Sequence, residues 1–95
     1  MSSTITGSDK QATWAGAIRA EYIREIEKWG RAHAAAATKA GQGAQWQAVI
    51  DGMIALARAE TRAAWWIDHR ADTAFQGAVF TAHYTAAVAQ VQAAT

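Results

Sequence analysis

The chain is constrained most by one short turn, Gly41-Gln42-Gly43, that separates two long helical patterns. On both sides of the turn, apolar side chains recur every three or four residues, which is the spacing of an amphipathic helix. The sequence contains no proline, and its commonest residue is alanine, the best helix former. A turn this short predicts that the two helices lie side by side as an antiparallel hairpin.

The first helix is predicted from about Asp9 to Lys39, and a capping box marks its start. In this pattern the Ser8 hydroxyl accepts from the N–H of Gln11, and the Gln11 side chain reaches back to the N–H of Ser8. Gly30, in the middle of the helix, either permits a close helix contact or marks a bend. The stripe expected to face the core is Trp14, Ile18, Tyr22, Ile26, Trp29, His33 and Ala36.

The rest of the chain is predicted to form a second helix over about Ala44 to His69 and a third over about Ala74 to Ala93. The break between them is placed at Arg70 to Asp72, where Thr73 and Gln76 form another capping-box pattern. One continuous helix is the alternative. The apolar stripe of the second helix is Trp46, Val49, Ile50, Met53, Leu56, Ala57, Glu60, Ala64 and Ile67.

Folding the chain about residue 41 sets the register of the hairpin. The third helix then covers the open side, which predicts an all-α protein: a three-helix bundle built on a long antiparallel helical hairpin. The expected opposite pairs include Ala36 with Trp46, Tyr22 with Glu60, and Trp14 with both Ile67 and Asp68.

This register predicts two polar contacts. Glu60 lies within an apolar stripe and must be hydrogen-bonded there, and Tyr22 is its expected partner. Arg19 and Asp68 are expected to form a salt bridge between the start of the first helix and the end of the second. Exposed pairs are also expected along the first helix, as Glu21–Arg24, Glu25–Lys28 and Glu27–Arg31.

Charge and composition exclude several classes of function. With nine basic and eight acidic residues, the net charge is +1, which fits neither backbone-driven nucleic-acid binding nor nucleic-acid mimicry. The absence of cysteine excludes disulfides and thiolate metal sites. With no signal-peptide pattern and no long apolar run, the expected location is the cytoplasm of a bacterial cell. We expect one domain over residues 1–95, with a flexible N-terminus over 1–7.

No residue pattern predicts catalysis or cofactor binding. Asp68, His69 and Asp72 could be taken for a metal cluster, but His69 points away from the face that the two aspartates share. The sequence has no glycine-rich phosphate loop and no recognisable nucleophile–histidine–acid set. We therefore expect a protein without metal, cofactor or enzymatic activity.

The third helix carries two apolar faces, of which the bundle can cover only one. Phe75 and Val79 lie on one face, and Phe80 and Tyr84 lie on the other. The uncovered face is either merely half-exposed or in contact with a second copy of the chain or with another protein. Trp66 points away from the hairpin, either under the third helix or into that contact. The expected partner-binding residues are Trp66, His69, Arg70, Phe80, Tyr84 and Val88, with Arg62 at the rim.

Two stretches of the chain resemble signatures of small helical domains from phages and bacterial mobile elements. The first, Gly7-Ser8-Asp9-Lys10-Gln11-x-x-Trp14-Ala15-x-x-Ile18-Arg19, resembles a Gly-Ser/Thr-Glu-Lys-Gln start that is also found in a helical type I-E anti-CRISPR family. The second, Ala63-Ala64-Trp65-Trp66-Ile67-Asp68-His69-Arg70, resembles an Ala-(basic or Ala)-Trp-Trp-Ile-Asp-Asn-Arg signature, with His69 in place of Asn.

The resemblance implies a non-enzymatic phage or mobile-element protein that inhibits a bacterial defence system by stoichiometric protein binding. The implied target is a type I CRISPR–Cas effector, either the surveillance complex or its helicase-nuclease, without direct nucleic-acid contact. The alternative is a structural or accessory helical module that forms a homodimer. The two stretches and their neighbours also supply the residues expected to determine the fold: Ser8, Gln11, Trp14, Ile18, Arg19, Tyr22, Glu60, Ile67 and Asp68.

Overall fold

The structure is a computed structural model that describes residues 4–94, and within this range it is helical and contains no strand. The prediction of an all-helical protein is confirmed, although four α-helices pack together where three were expected. None of the helices in this range combines the length and the apolar character needed to cross a bilayer. In chain order they are α1 (Asp9–Lys39), α2 (Gly43–Ala59), α3 (Ala63–Asp68) and α4 (Ala78–Ala94), with a 3-10 turn at Arg70–Thr73.

Both ends of α1 lie where the sequence predicts them. Ser8 is the N-cap residue, and its Oγ accepts from the N–H of Gln11 at 3.2 Å. Asp9 occupies the first turn, where a negative charge complements the helix dipole. Beyond Lys39, Gly41 adopts a φ of 76°, a left-handed conformation that favours glycine and lets the chain reverse into α2.

α1 and α2 run antiparallel and approach each other closely at Gly30. A Cβ added to Gly30 would lie 3.0–3.2 Å from three side-chain atoms of Ile50. The Gly30 carbonyl also accepts from Nε1 of Trp46 at 2.9 Å. Gly30 therefore permits a close contact between the helices. Gly30 and Ile50 lie 11 and 9 residues from Gly41, which is close to the expected register, although the side chain of Trp46 reaches Gly30 and not Ala36.

The predicted second helix is interrupted at residues 60–62, so the expectation of one helix from Ala44 to His69 is wrong. Glu60 has an extended backbone, and its carboxylate accepts from the backbone N–H of Arg62 at 3.2 Å and from its guanidinium at 2.8 and 3.0 Å. The predicted bond from Tyr22 to Glu60 is also wrong, because Glu60 lies in this turn and pairs locally. A local carboxylate–guanidinium pair thus ends α2 without glycine or proline.

The segment before α1 covers this interruption and is anchored there. The N–H of Thr6 donates to the Thr61 carbonyl at 2.7 Å, and the N–H of Ala63 donates to the Thr6 carbonyl at 2.9 Å. Ile5 packs against the core. A Cβ on Gly7 would lie 2.8 Å from Cβ of Ala63, so glycine is required for this approach. The expectation of a flexible N-terminus over residues 1–7 stays a prediction, and residues 1–3 lie outside the described residues.

The connection into α4 contains a tight turn that the sequence did not predict. α4 begins at Ala78, whereas its start was expected at Ala74. The predicted capping box does not form, because Thr73 Oγ1 donates to the Arg70 carbonyl at 2.9 Å and Gln76 has a φ of 61°. A residue in this conformation cannot continue a right-handed helix. The break expected at Arg70 to Asp72 is found, as the 3-10 turn.

α4 buries one face, where the sequence predicted two apolar faces. The far side of the helix, including Ala82 and Ala86, is exposed. A Cβ added to Gly52 of α2 would lie 3.2 Å from Cβ of Ala87, so α4 lies close to α2. The face predicted to await a partner is thus largely covered by the chain itself. Its core-facing residues are Val79, Phe80 and Ala87, flanked by Val88 and Val91.

Candidate protein-binding groove

An open groove lies between α1 and the connection that joins α3 to α4. Its larger hollow has a volume of 430 Å³, and a second hollow of 260 Å³ adjoins it. Because Glu25 and Phe75 line both hollows, we treat them as one surface, the Trp14–Phe75 groove. The residues that line it are Trp14, Ala17, Ile18, Glu21, Tyr22, Glu25, Lys28, Trp29 and Ala32 from α1, and Arg70, Thr73, Ala74 and Phe75 from the connection.

The floor of the Trp14–Phe75 groove follows one stripe of α1. Its residues recur every three or four positions from Trp14 to Ala32, which is a length of about 27 Å at 1.5 Å per residue. A surface of this length can contact an extended segment or a short helix of a partner.

Trp14 and Phe75 are the most exposed large apolar residues in the part of the chain that the structure describes. Trp14 is 48% exposed and Phe75 is 46% exposed. The prediction that Trp14 faces the core is therefore wrong. The buried residues of α1 include Tyr22 and Ile26 of the expected stripe, together with the small Ala15 and Gly30, which lie next to the predicted Trp14 and Trp29.

At one end of the groove, Arg70 lies over Trp14. The guanidinium carbon is 5.2 Å from the centroid of the indole, within the range of a cation–π contact. The same guanidinium donates to the Ile67 carbonyl. The start of α1 therefore lies beside the end of the second signature stretch, as the hairpin required, with contact at Arg70 beyond the expected Ile67 and Asp68.

At the other end, an aromatic cluster around Trp29 supports Phe75. The ring of Trp29 packs edge-on against Phe75 at 6.4 Å, Phe80 at 5.0 Å and Trp46 at 4.8 Å between centroids. Phe75 also packs edge-on against Phe80 at 5.2 Å. Phe75 is thus held by aromatic neighbours on its inner side while its outer side remains exposed, which is the arrangement of an interface anchor residue.

Glu21 and Glu25 lie between Arg70, which covers one end of the groove, and Lys28, which lies one turn beyond Glu25. Glu25 borders both hollows, is half-buried, and forms no hydrogen bond or ion pair with another described residue. Glu21 pairs with Arg24, and both side chains are about 60% exposed. Lys28 lines the second hollow and is not within ion-pair distance of Glu25. Of the three predicted pairs along α1, only Glu21–Arg24 forms.

The partner-binding residues predicted from the sequence are separated by the fold. Trp66 is fully buried, with Nε1 donating to the Glu60 carbonyl at 2.8 Å, and Phe80 is only 4% exposed, so both predictions are wrong. The helix break turns Trp66 inward, and Trp29 covers Phe80. Arg70 lies on the groove, whereas Tyr84 is 37% exposed on α4. The remaining two, His69 and Val88, are half-buried away from the groove.

A partly buried polar pair joins α1 to α4. The hydroxyl oxygen of Tyr22 lies 2.7 Å from Nδ1 of His83, so the phenol donates when this nitrogen is unprotonated. Burial lowers the pKa of His83 below its usual value, and it raises the pKa of Tyr22. The ring of Tyr22 also packs against Trp66 at 5.8 Å between centroids. The partner of Tyr22 is therefore His83.

The predicted salt bridge between Arg19 and Asp68 does not form among the described residues. Nη1 of Arg19 instead donates to the Arg58 carbonyl at 3.4 Å, near the end of α2. Burial and the charge of Arg58 lower the pKa of Arg19. Of the two other structural candidates, Ile18 lines the groove and Ile67 is half-buried against the core.

No group of three or more metal-ligating side chains occurs within residues 4–94. Asp68 and Asp72 are both exposed, and the ring of His69 stacks on that of Trp65 at 4.3 Å between centroids. Comparisons with protein-family models, curated proteins and solved structures found no match to this chain. The candidate site therefore rests on the geometry of the Trp14–Phe75 groove.

Proposed function

We propose that this chain is a non-enzymatic phage or mobile-element protein that inhibits a bacterial defence system by stoichiometric protein binding. The proposed target is a type I CRISPR–Cas effector, in keeping with the two signature stretches. The proposed contact surface is the Trp14–Phe75 groove, which replaces the α4 surface expected from the sequence.

The observation that supports a binding role is the exposure of two aromatic anchors in one groove. Trp14 and Phe75 line the same hollow, each is nearly half exposed, and Phe75 packs against Trp29 and Phe80. Tryptophan and arginine are enriched among the residues that contribute most of the binding energy at interfaces. Arg70 lies beside Trp14, so an aromatic and a basic residue of this kind are already adjacent.

Co-purification with purified effectors tests the proposal. The tagged chain is mixed with a type I surveillance complex and, separately, with the helicase-nuclease, and each mixture is separated by size-exclusion chromatography. We expect one effector to co-elute with the chain at a fixed molar ratio and to lose activity at that ratio. Failure of both effectors to retain the chain would overturn the proposed target.

A homodimeric helical module is the second candidate function. It is favoured by a hollow of 420 Å³ between the start of α2 and the end of α4, which is lined by residues that include Ala48 and Val91. The same chromatography separates the two candidates. A stable dimer of the free chain that retains no effector favours the module, and a monomer that retains an effector favours the inhibitor.

A further inference from the structure

We propose that the Trp14–Phe75 groove binds a segment of a partner protein that presents one arginine or lysine between two apolar side chains. This inference rests on the protein-binding function proposed above and specifies the chemistry of the partner at the same site. It follows from the order of apolar and charged groups along the groove.

The two ends of the groove are apolar and match the two apolar side chains of the segment. Trp14 and Ile18 form one end, Trp29 and Ala32 form the other, and Phe75 lines both hollows, as Glu25 does. The aromatic rings at both ends are held by neighbours within the chain, so little conformational entropy is lost when a partner binds them.

The middle of the groove is acidic and has an unused carboxylate. Glu25 lies where the two hollows meet, and no other described residue forms a hydrogen bond or ion pair with it. Glu21 lies one turn away, and its contact with Arg24 is an exposed pair of the kind that contributes ~0–1 kcal/mol. Two carboxylates are therefore available to one incoming cation.

The positions of the groove's own cations favour the same order. Arg70 covers Trp14 at one end, and Lys28 lines the second hollow on the side of Glu25 that leads to Trp29. A basic group of the partner would be repelled at these ends and attracted in the middle, whereas a phosphate or an acidic side chain would be repelled in the middle. This arrangement favours a basic protein segment over a nucleic acid.

Peptide titration tests the inference. The probe is an alanine-based helical peptide with leucine, arginine and leucine at intervals of four residues, and its controls carry glutamine or glutamate in place of the arginine. Binding is followed through the indole N–H resonance of Trp14 in NMR spectra of the full chain. We expect the arginine peptide to bind about tenfold more tightly than the glutamine peptide, and the glutamate peptide to bind most weakly.

Two variants of the chain test whether Glu21 and Glu25 cause the preference for the arginine peptide. Because Glu27 follows Glu25 by two residues, it points about 200° away around the helix and lies outside the groove. We expect the preference for arginine to disappear in E21Q/E25Q and to persist in E27Q, with both variants folded by circular dichroism. No binding, equal binding of the arginine and glutamine peptides, or a preference that persists in E21Q/E25Q would overturn the inference.

The effector experiment tests the proposed target, whereas the peptide experiment tests the chemistry of the groove. An effector that is retained equally by E21Q/E25Q and by the wild type would leave the proposed function standing and would contradict this inference. A peptide preference without retention of any effector would support the groove chemistry and contradict the proposed target.

Discussion

At the scale of single residues, the polar groups of the core are matched by partners that the sequence did not indicate. Among the described residues, no buried side-chain nitrogen or oxygen lacks a hydrogen-bond partner. Tyr22 bonds to His83, Glu60 bonds to Arg62, and the indole of Trp66 bonds to the Glu60 carbonyl. The sequence identified Tyr22 and Glu60 as polar groups in need of partners, but partner identity depended on a helix break with no glycine or proline to mark it.

The half-buried His83 predicts that the protein loses stability in mild acid. Since burial lowers the pKa of His83 in the folded state, the unfolded chain takes up this proton first as the pH falls. Neutral His83 contributes fully to the free energy of unfolding above the pKa of the unfolded chain, about 6.5. This contribution is lost as the pH falls toward the lower pKa of the folded state. We expect the free energy of unfolding to fall from pH 7 to 5 by at most ~1.4 kcal/mol per pH unit.

Urea denaturation at a series of pH values measures this effect. H83Q is expected to flatten the dependence between pH 7 and 5, whereas H33Q, which changes an exposed histidine, is expected to preserve it. A wild-type stability that stays constant or rises as the pH falls through this range would contradict the predicted role of His83.

At the scale of helices, the sequence predicted the class and the boundaries of α1 and the burial of Tyr22 and Ile26, but not the exposure of Trp14 or the burial of Ala15 and Gly30. Alanine residues occur on every face of α1, so the apolar pattern fits more than one rotation of the helix. The apolar pattern predicted that the large side chain of Trp14 is buried, whereas the small residues Ala15 and Gly30 are buried in the structure. Close approach of two helices requires small residues at the contact, and a hydrophobic stripe alone does not reveal that requirement.

Two glycine substitutions in α1 are predicted to have opposite effects on stability. G30A places a Cβ 3.0 Å from Ile50, so we expect it to cost about 1–3 kcal/mol by overpacking. G16A places a Cβ 4.0 Å from the nearest atom, in Ile5, so we expect a gain of ~0.5–1 kcal/mol from helix propensity. Chemical denaturation of both variants measures the difference, and a shared sign would show that the α1–α2 contact is misplaced.

At the scale of the whole molecule, the two signature stretches form one unit at the start of α1. Gly7 and Trp14 of the first stretch contact Ala63 and Arg70 of the second stretch, respectively. The sequence predicted that these stretches meet, because a hairpin about Gly41 brings them together. The groove could not be predicted, since it depends on the exposure of Trp14 and on the Gln76 turn that sets Phe75 outside α4.

The affinity of groove variants for the retained effector tests the central claim most directly. W14A and F75A truncate the anchors of the Trp14–Phe75 groove, and Y84A truncates an aromatic residue of similar exposure on α4. We predict that W14A/F75A weakens binding by about 30-fold or more, the effect of losing ~2 kcal/mol or more at an interface anchor, with its folding retained. Y84A should bind within about threefold of the wild type. Loss of binding in Y84A together with unchanged affinity in W14A/F75A would contradict the account and place the interface on α4.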